Sequence, residues 1–217
     1  PFGIPRTDMF FDPVFVKNAR SHIEEVFPEI GSRKILLYAP TFRGNSLNSA
    51  YAMKMLDYML MKRYLGQQYV IINKFHPLVA KKVKFNKVEE ELYGDFVFDG
   101  SNRLNINEAL CAADILITDY STVMFEYALL ERPMIFFAYD VEQYCRDRGF
   151  YYDYKSMVPG AIVKDTAQII DEVLASEKNF DRKQVQTFCK DFMSGCDGNA
   201  TKRIVDFVIC QEMKKEA

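Results

Sequence analysis

Residues Ala113 to Phe137, ADILITDYSTVMFEYALLERPMIFF, constrain the fold more than any other stretch of the chain. They read as a buried strand, a polar turn carrying Asp119, Ser121 and Thr122, an amphipathic helix, and a second strand opening at Pro133. Apolar runs without polar alternation need cover on both faces, which a parallel sheet flanked by helices supplies. In such a sheet, the turn after a strand brings hydroxyls and backbone N–H groups to a helix start. That is where α/β folds take anionic ligands. A nucleotide is the expected ligand of this turn.

The rest of the chain repeats the alternation. PFGIPRTDMFFDP at the start has no clear period and resembles an interdomain linker, and Phe15 to Val26 then forms a short helical pattern. Residues 1–30 are therefore expected to be a linker and first helix leading from an N-terminal domain outside the chain, and residues 31–217 a nucleotide-binding domain ending in helices. Lys34 to Ala39 reads as a first strand, Ser49 to Tyr64 as a helix, and Tyr69 to Phe75 as a second strand running into His76 and Pro77. Asp95 to Phe98 is a short third strand and Asn105 to Ala112 a short helix, after which Ile115 to Thr118 and Met134 to Phe137 are the fourth and fifth strands. YCRDRGFYYDYKSMVPG reads as an aromatic loop. Helices follow at Ala167 to Leu174, Arg182 to Met193 and Thr201 to Met213. The expected fold is α/β, a Rossmann-like, doubly wound, mostly parallel sheet.

Composition excludes several classes. With 49% apolar and 27% charged residues, the 217-residue chain has ordinary globular make-up and length enough for a sizeable core. A net charge of -2 gives no global attraction to nucleic acid, so no nucleic-acid partner is expected and any anion site must be local. The five cysteines are scattered without CxxC spacing, as in a reduced, cytosolic protein. No apolar run approaches the roughly 20 residues of a spanning helix, so contact with the inner face of a membrane would be peripheral.

Neither GxGxxG nor a Walker loop is present, which weakens ordinary dinucleotide binding and P-loop hydrolysis. No HExxH or GxSxG occurs either, so no metal is expected and serine-hydrolase chemistry has no support. Three polar clusters stand instead at strand ends: Pro40-Thr41-Phe42-Arg43, Lys74-Phe75-His76-Pro77 and Asp119-Tyr120-Ser121-Thr122. In a parallel sheet they would face one crevice. Each also has a plainer use. Thr41 and Arg43 would serve equally to cap and pair on a helix, and a histidine before proline can be a loop residue with one hydrogen bond. Ser121 and Thr122 would cap a helix with or without a ligand. Glu126, in the first turn, would oppose the helix dipole or hold a ribose hydroxyl. Phe150, Tyr151, Tyr152 and Tyr154 would stack a base or pack a loop.

PFGIPRTD, ILLYAPTFRG, NKFHP, ADILITDYSTVMFEYALLERPMIFFAYD and DGNATKRIVDFV, in this order, resemble the C-terminal half of the CDP-glycerol glycerophosphotransferases, the teichoic-acid polymerase family. The resemblance covers nearly the whole chain. It implies a GT-B architecture, of which this chain would be the nucleotide-binding half. The implied reaction transfers glycerol phosphate from CDP-glycerol to a polyol-phosphate acceptor and releases CMP. By position it implies His76 as the catalytic residue of this half, with Arg6, Pro40, Thr41, Ser121, Thr122 and Glu126 at the substrate. Arg43 and Lys74 join them as cations of the strand-end clusters. Thr122 stands where Ser is common, and Glu126 where Asp also occurs. The family's other catalytic histidine belongs to the N-terminal domain, so this half is expected to bind without turnover.

Physically, transfer requires neutralising charge on the departing CMP, which preorganised donors at Ser121, His76 and Arg6 would do without metal. Two competing functions fit parts of the sequence. A GT-B glycosyltransferase or nucleotide-sugar epimerase would use a UDP-sugar on a similar sheet. A non-catalytic module would hold anionic polymer or membrane on Lys81, Lys82, Lys84 and Lys87.

Overall fold

The computed structural model describes residues 1–44, 56–83 and 87–213, with side chains to residue 208. Six strands form one parallel sheet: β1 Lys34–Tyr38, β2 Tyr69–Asn73, β3 Val97–Asp99, β4 Ile115–Thr118, β5 Met134–Phe137 and β6 Ala161–Val163. Their order is β3-β2-β1-β4-β5-β6. The direction of winding reverses between β1 and β4, and that reversal is where a doubly wound sheet opens a crevice at its carboxyl edge.

Alternate residues of each strand enter two cores. Ile35, Leu37, Val70, Ile72, Leu116 and Phe136 face one side, and Leu36, Tyr38, Ile71, Ile115, Ile117 and Phe137 the other. Both faces being dry, neither register of the pleat is polar, which is why the strands read as unbroken apolar runs. The first face is covered by α1 (Pro13–Val26), α5 (Ile106–Ala112), α6 (Val123–Ala128) and α10 (Arg182–Phe192). The second is covered by α2 (Tyr58–Leu65), α4 (Lys87–Tyr93) and α9 (Thr166–Asn179). Short helices α3 (Pro77–Ala80), α7 (Val141–Arg148) and α8 (Tyr154–Met157) occupy the loops, and α11 (Ala200–Met213) closes the chain.

Several sequence expectations shift. There is a sixth strand, β6, whose apolar run is only three residues long, two of them half-exposed. The third strand sits at Val97–Asp99 rather than Asp95–Phe98, because Phe96 completes the turn by donating to the Tyr93 carbonyl. Of the helix expected over 49–64, the described part is α2 at Tyr58–Leu65, where Asp57 caps it by accepting from the Leu60 N–H at 2.9 Å. Residues 49–55 of that expectation, and Lys84 of the lysine patch, lie outside the described residues. The aromatic loop holds α7 and α8. The first of these buries only Val141 and so shows no apolar stripe.

The two ends of the chain meet. Pro5–Phe11 forms a 3-10 helix where no period was visible, and Asp8 from it accepts from the N–H groups of Ala200 and Thr201 at 2.9 and 2.8 Å, capping α11 from outside. Arg203 returns the contact, donating to the Phe2 carbonyl at 3.1 Å and to Asp197 at 2.8 Å. Gly3 passes directly against the Gly195 carbonyl at φ +84°, where a side chain has neither the room nor the backbone conformation. Among the described residues, no helix is long and apolar enough to cross a membrane.

Burial opposes ionisation of Asp8, but hydrogen bonds from Thr201 and Ala200 and the charge of Arg203 outweigh it and hold the carboxyl below its ordinary value of 3.8. A depressed carboxylate contributes stability that is complete above the unfolded pKa and is lost as pH falls through the folded one. Urea unfolding should therefore give a midpoint that is level near neutrality and falls below about pH 4. Asp8→Asn should lie about 1 kcal/mol lower at pH 7, as for loss of a helix cap, with a shallower fall in acid. A parallel pair of pH profiles would contradict the clasp.

Candidate functional site

The carboxyl ends of β1, β2 and β4 deliver their polar clusters to one cavity of about 450 Å³, with the start of α5 as its fourth wall. Pro40, Thr41, Lys74, His76 and Ser121 line it. Five of the nine expected site residues are thus together, and each stands where its strand ends. Phe42, Phe75, Leu104 and Ile106 supply apolar walls. The described lining includes no carboxylate.

His76 caps α3. Its Nδ1 accepts from the Leu78 N–H at 3.3 Å, and its ring lies 4.9 Å from that of Phe42. An Nδ1 that accepts leaves the ring proton on Nε2, so the free nitrogen is a donor. Lys74 donates from Nζ to the Ser101 carbonyl at 2.7 Å, while Ser101 Oγ accepts from the Phe75 N–H at 3.0 Å. Half-burial holds the Lys74 ammonium below its ordinary pKa, with Asp99 pulling the other way.

The hydroxyl pair does not cap as expected. Thr122 has α-region backbone, φ -66° and ψ -11°, and makes no side-chain cap. A capping residue needs extended backbone to swing its oxygen over the next N–H groups. Ser121 Oγ lies 3.5 Å from the Val123 N–H, a long contact. Thr122 is exposed and outside the cavity lining, and α6 is only six residues long.

Arg43 is corrected most. Its side chain does not line the cavity but lies buried beneath it. Nε and Nη2 donate to the two oxygens of Asp140 at 2.8 and 2.9 Å, and Nη1 donates to the Thr41 carbonyl at 2.9 Å while lying 3.0 Å from Asp119 Oδ2. The guanidinium lies 4.8 and 5.0 Å from the ring centres of Tyr120 and Tyr144, which stack on each other at 4.0 Å. Asp119 Oδ1 accepts from the Thr41 N–H at 2.8 Å, and the Asp119 carbonyl accepts from the Tyr154 hydroxyl at 2.7 Å. Burial pushes the Asp119 carboxyl up, with Arg43 and Thr41 pulling against it. Burial likewise opposes ionisation of Asp140, but hydrogen bonds from Arg43 and Tyr120 keep it below the usual range. With all its directions committed, Arg43 shapes the Pro40–Phe42 turn.

Arg6 and Glu126 form an ion pair beside the cavity rather than in its lining. Glu126 is 6% exposed and Arg6 61%, so the pair joins a buried acid to a surface cation. Glu126 Oε2 is buried and has no hydrogen-bond partner. The aromatic cluster divides: Phe150 and Tyr154 stack on each other and meet Tyr120 tilted and edge-on, at 5.6 and 5.1 Å. Tyr151 and Tyr152 are exposed beside a separate cavity of about 650 Å³. Lys81, Lys82 and Lys87 are exposed and outside the lining of the first cavity. Asp140 was missed in the sequence, although it follows β5 closely, as Asp119 follows β4. Asn105, the residue before α5, was likewise read only as a helix start. Among the described residues, no group of three or more His, Cys, Asp or Glu side chains is placed to hold a metal ion.

The model of the CDP-Glycerol:Poly(glycerophosphate) glycerophosphotransferase family matches residues 1–210. The chain belongs to this family. It is 41% identical over 208 residues to a teichoic acid poly(ribitol-phosphate) polymerase of Bacillus spizizenii, covering 95% of the chain and 33% of the relative. A teichoic acid poly(glycerol phosphate) polymerase of the same organism is 33% identical over 212 residues, covering 94% and 51%. The structure of a variant of the wall teichoic acid polymerase TagF superposes with TM-score 0.81 at 30% identity, covering 99% of this chain and 52% of that one. The same match extends to a TagF variant soaked with CDPG, at TM-score 0.80. The fold is the expected Rossmann-like half of a GT-B architecture, and the chain spans a third to a half of the length of these relatives.

Removing the Arg43 charge should leave the buried Asp119 and the half-buried Asp140 without their shared cation. Arg43→Met should destabilise by about 3–5 kcal/mol, the cost of breaking a buried ion pair from one side. Adding Asp119→Asn should recover part of that loss. Urea midpoints of the single and double variants test this, and strict additivity would show that Arg43 does not hold the carboxylates.

Proposed function

We propose that this chain is the donor-binding half of a CDP-alditol phosphotransferase, which passes an alditol phosphate to the terminal hydroxyl of a polyol-phosphate chain and releases CMP. The observation that carries this is the convergence of Thr41, Lys74, His76 and Ser121 on one cavity without a carboxylate in its described lining, in a member of this family. Hydroxyl and cationic groups at strand ends suit a diphosphate, and preorganised donors stabilise charge as it develops.

In the proposed step, the acceptor hydroxyl attacks the phosphorus bearing the alditol, a new P–O bond forms, and the bond to the CMP oxygen breaks. Negative charge grows on the CMP phosphate. Nε2–H of His76 is the donor for that oxygen, its tautomer set by the Leu78 N–H at Nδ1. Ser121 and Lys74 meet the other phosphate oxygens, and Arg6 approaches from the rim. Glu126 Oε2, a buried acceptor with no partner, is suited to a ribose hydroxyl. An unpaired buried acceptor costs about 1–3 kcal/mol, which a hydroxyl donor would relieve.

The sequence led to CDP-glycerol as donor. Identity of 41% with a ribitol-phosphate polymerase brings CDP-ribitol alongside it. The acceptor-activating half belongs to the rest of such a protein, and any contact with the inner membrane face is peripheral.

Titration calorimetry of the chain with CDP-glycerol, CDP-ribitol, CMP and a UDP-sugar tests the assignment. A cytidine ligand should bind, and His76→Ala should weaken it by about 10- to 100-fold, the worth of one hydrogen bond to a charged group. Tighter binding of the UDP-sugar, or no cytidine binding by folded protein, would overturn it.

A further inference from the structure

We propose that Asn105 reads the edge of the nucleotide base and selects cytosine over uracil; the inference rests on the donor-binding assignment above and deepens it. Asn105 is the N-cap of α5 and lines the same cavity as His76 and Ser121. Its Oδ1 accepts from the Asn107 N–H at 2.8 Å, and Glu108 completes a capping box by accepting from the Asn105 N–H at 3.4 Å. The cap decides which end of the amide is oxygen. With the acceptor committed to the helix, the side chain offers a ligand only the N–H donors of Nδ2.

A pyrimidine needs apolar contact for its faces and a hydrogen-bonding partner for its edge. Leu104 and Ile106 flank Asn105 in sequence and line the cavity with it, and Val123 lies opposite at the start of α6. The other polar side chains of the lining, Thr41, Lys74, His76 and Ser121, are hydroxyls and nitrogen donors suited to phosphate. Asn105 is the carboxamide of the described lining. Cytosine presents N3 and O2 as adjacent acceptors. Uracil places an N3–H donor between two carbonyls. A fixed N–H donor opposite N3 is therefore satisfied by cytosine and opposed by uracil, whichever alditol the donor carries.

Asn105→Asp separates this role from folding, because Asp caps a helix as well as Asn does, while the ligand-facing nitrogen becomes an acceptor. Calorimetry of the wild-type chain and Asn105→Asp with CMP and UMP gives the ratio of the two dissociation constants. Any general repulsion between the new carboxylate and phosphate cancels in that ratio. The wild type should prefer CMP, and the variant should shift the ratio toward UMP by about tenfold or more, the worth of one exchanged hydrogen bond, with its melting temperature kept. Asn105→Ser, which also caps, should reduce discrimination without reversing it. A wild type that prefers CMP and a variant with the same ratio would remove Asn105 from base selection and leave the donor-binding assignment standing. A wild type that binds neither nucleotide would remove both.

Discussion

The guanidinium of Arg43 joins the carboxyl ends of three strands. It follows β1, Asp119 follows β4 and Asp140 follows β5, and both carboxylates lie within 3.0 Å of its nitrogens. Strands of a parallel sheet fan apart at their ends because the sheet twists, so the loops leaving them do not hold a common shape unless something ties them. Here a planar cation with a fixed fork of donors does so, packed against the stacked rings of Tyr120 and Tyr144. Apolar replacements often match such a buried pair in stability. What they would not reproduce is direction: Nη1 fixes the Thr41 carbonyl, and Asp119 fixes the Thr41 N–H. The turn that lines the cavity is thereby held at both its donor and its acceptor.

That tie sits at the reversal of winding between β1 and β4. Chain leaving β1 departs toward one face of the sheet and chain leaving β4 toward the other, so the space between their ends is left to side chains. Pro40, Thr41 and Ser121 enter it from those two strands, and Lys74 and His76 from β2. The ends of the chain complete the surroundings. Asp8 fixes the 3-10 helix to α11, and the same short helix carries Arg6 to Glu126 on α6. A buried acid is thus paired by a segment 120 residues away in sequence, itself held by the last helix.

How much of this was legible follows from what each feature depends on. Strands β1, β2, β4 and β5 were readable because burial on both faces leaves apolar runs with no polar register. Pro40, Thr41, Lys74, His76 and Ser121 were readable because position at a strand end is fixed by the strand itself. Arg43 shares that position, yet its side chain turns under the turn rather than over it, and direction depends on carboxylates 76 and 97 residues later. Thr122 was misjudged for a backbone angle that no residue type dictates. Strand β6 and helix α7 left no period, the first being three residues long and the second burying one residue. The pairing of Arg6 with Glu126 has no local signal.

The chemistry of the cavity is one-sided. A hydroxyl acceptor needs a base, whereas a departing phosphate needs donors and positive charge. The described lining offers the second set alone: Lys74, the Nε2–H of His76, Ser121 and Thr41. Carboxylates near it are engaged elsewhere: Asp119 and Asp140 pair with Arg43, Glu126 pairs with Arg6, and Glu108 accepts from the Asn105 N–H. Nδ1 of His76, the remaining basic nitrogen, accepts a backbone N–H and faces its own helix. In the proposed transfer, these residues hold the nucleotide and take the charge it acquires on leaving, and a proton removed from the acceptor must go to a group outside this cavity. Separating the two roles has a physical advantage. A base kept away from the cations and donors that bind the diphosphate keeps a pKa suited to its own task, and it meets the phosphorus from the opposite side, as in-line displacement requires.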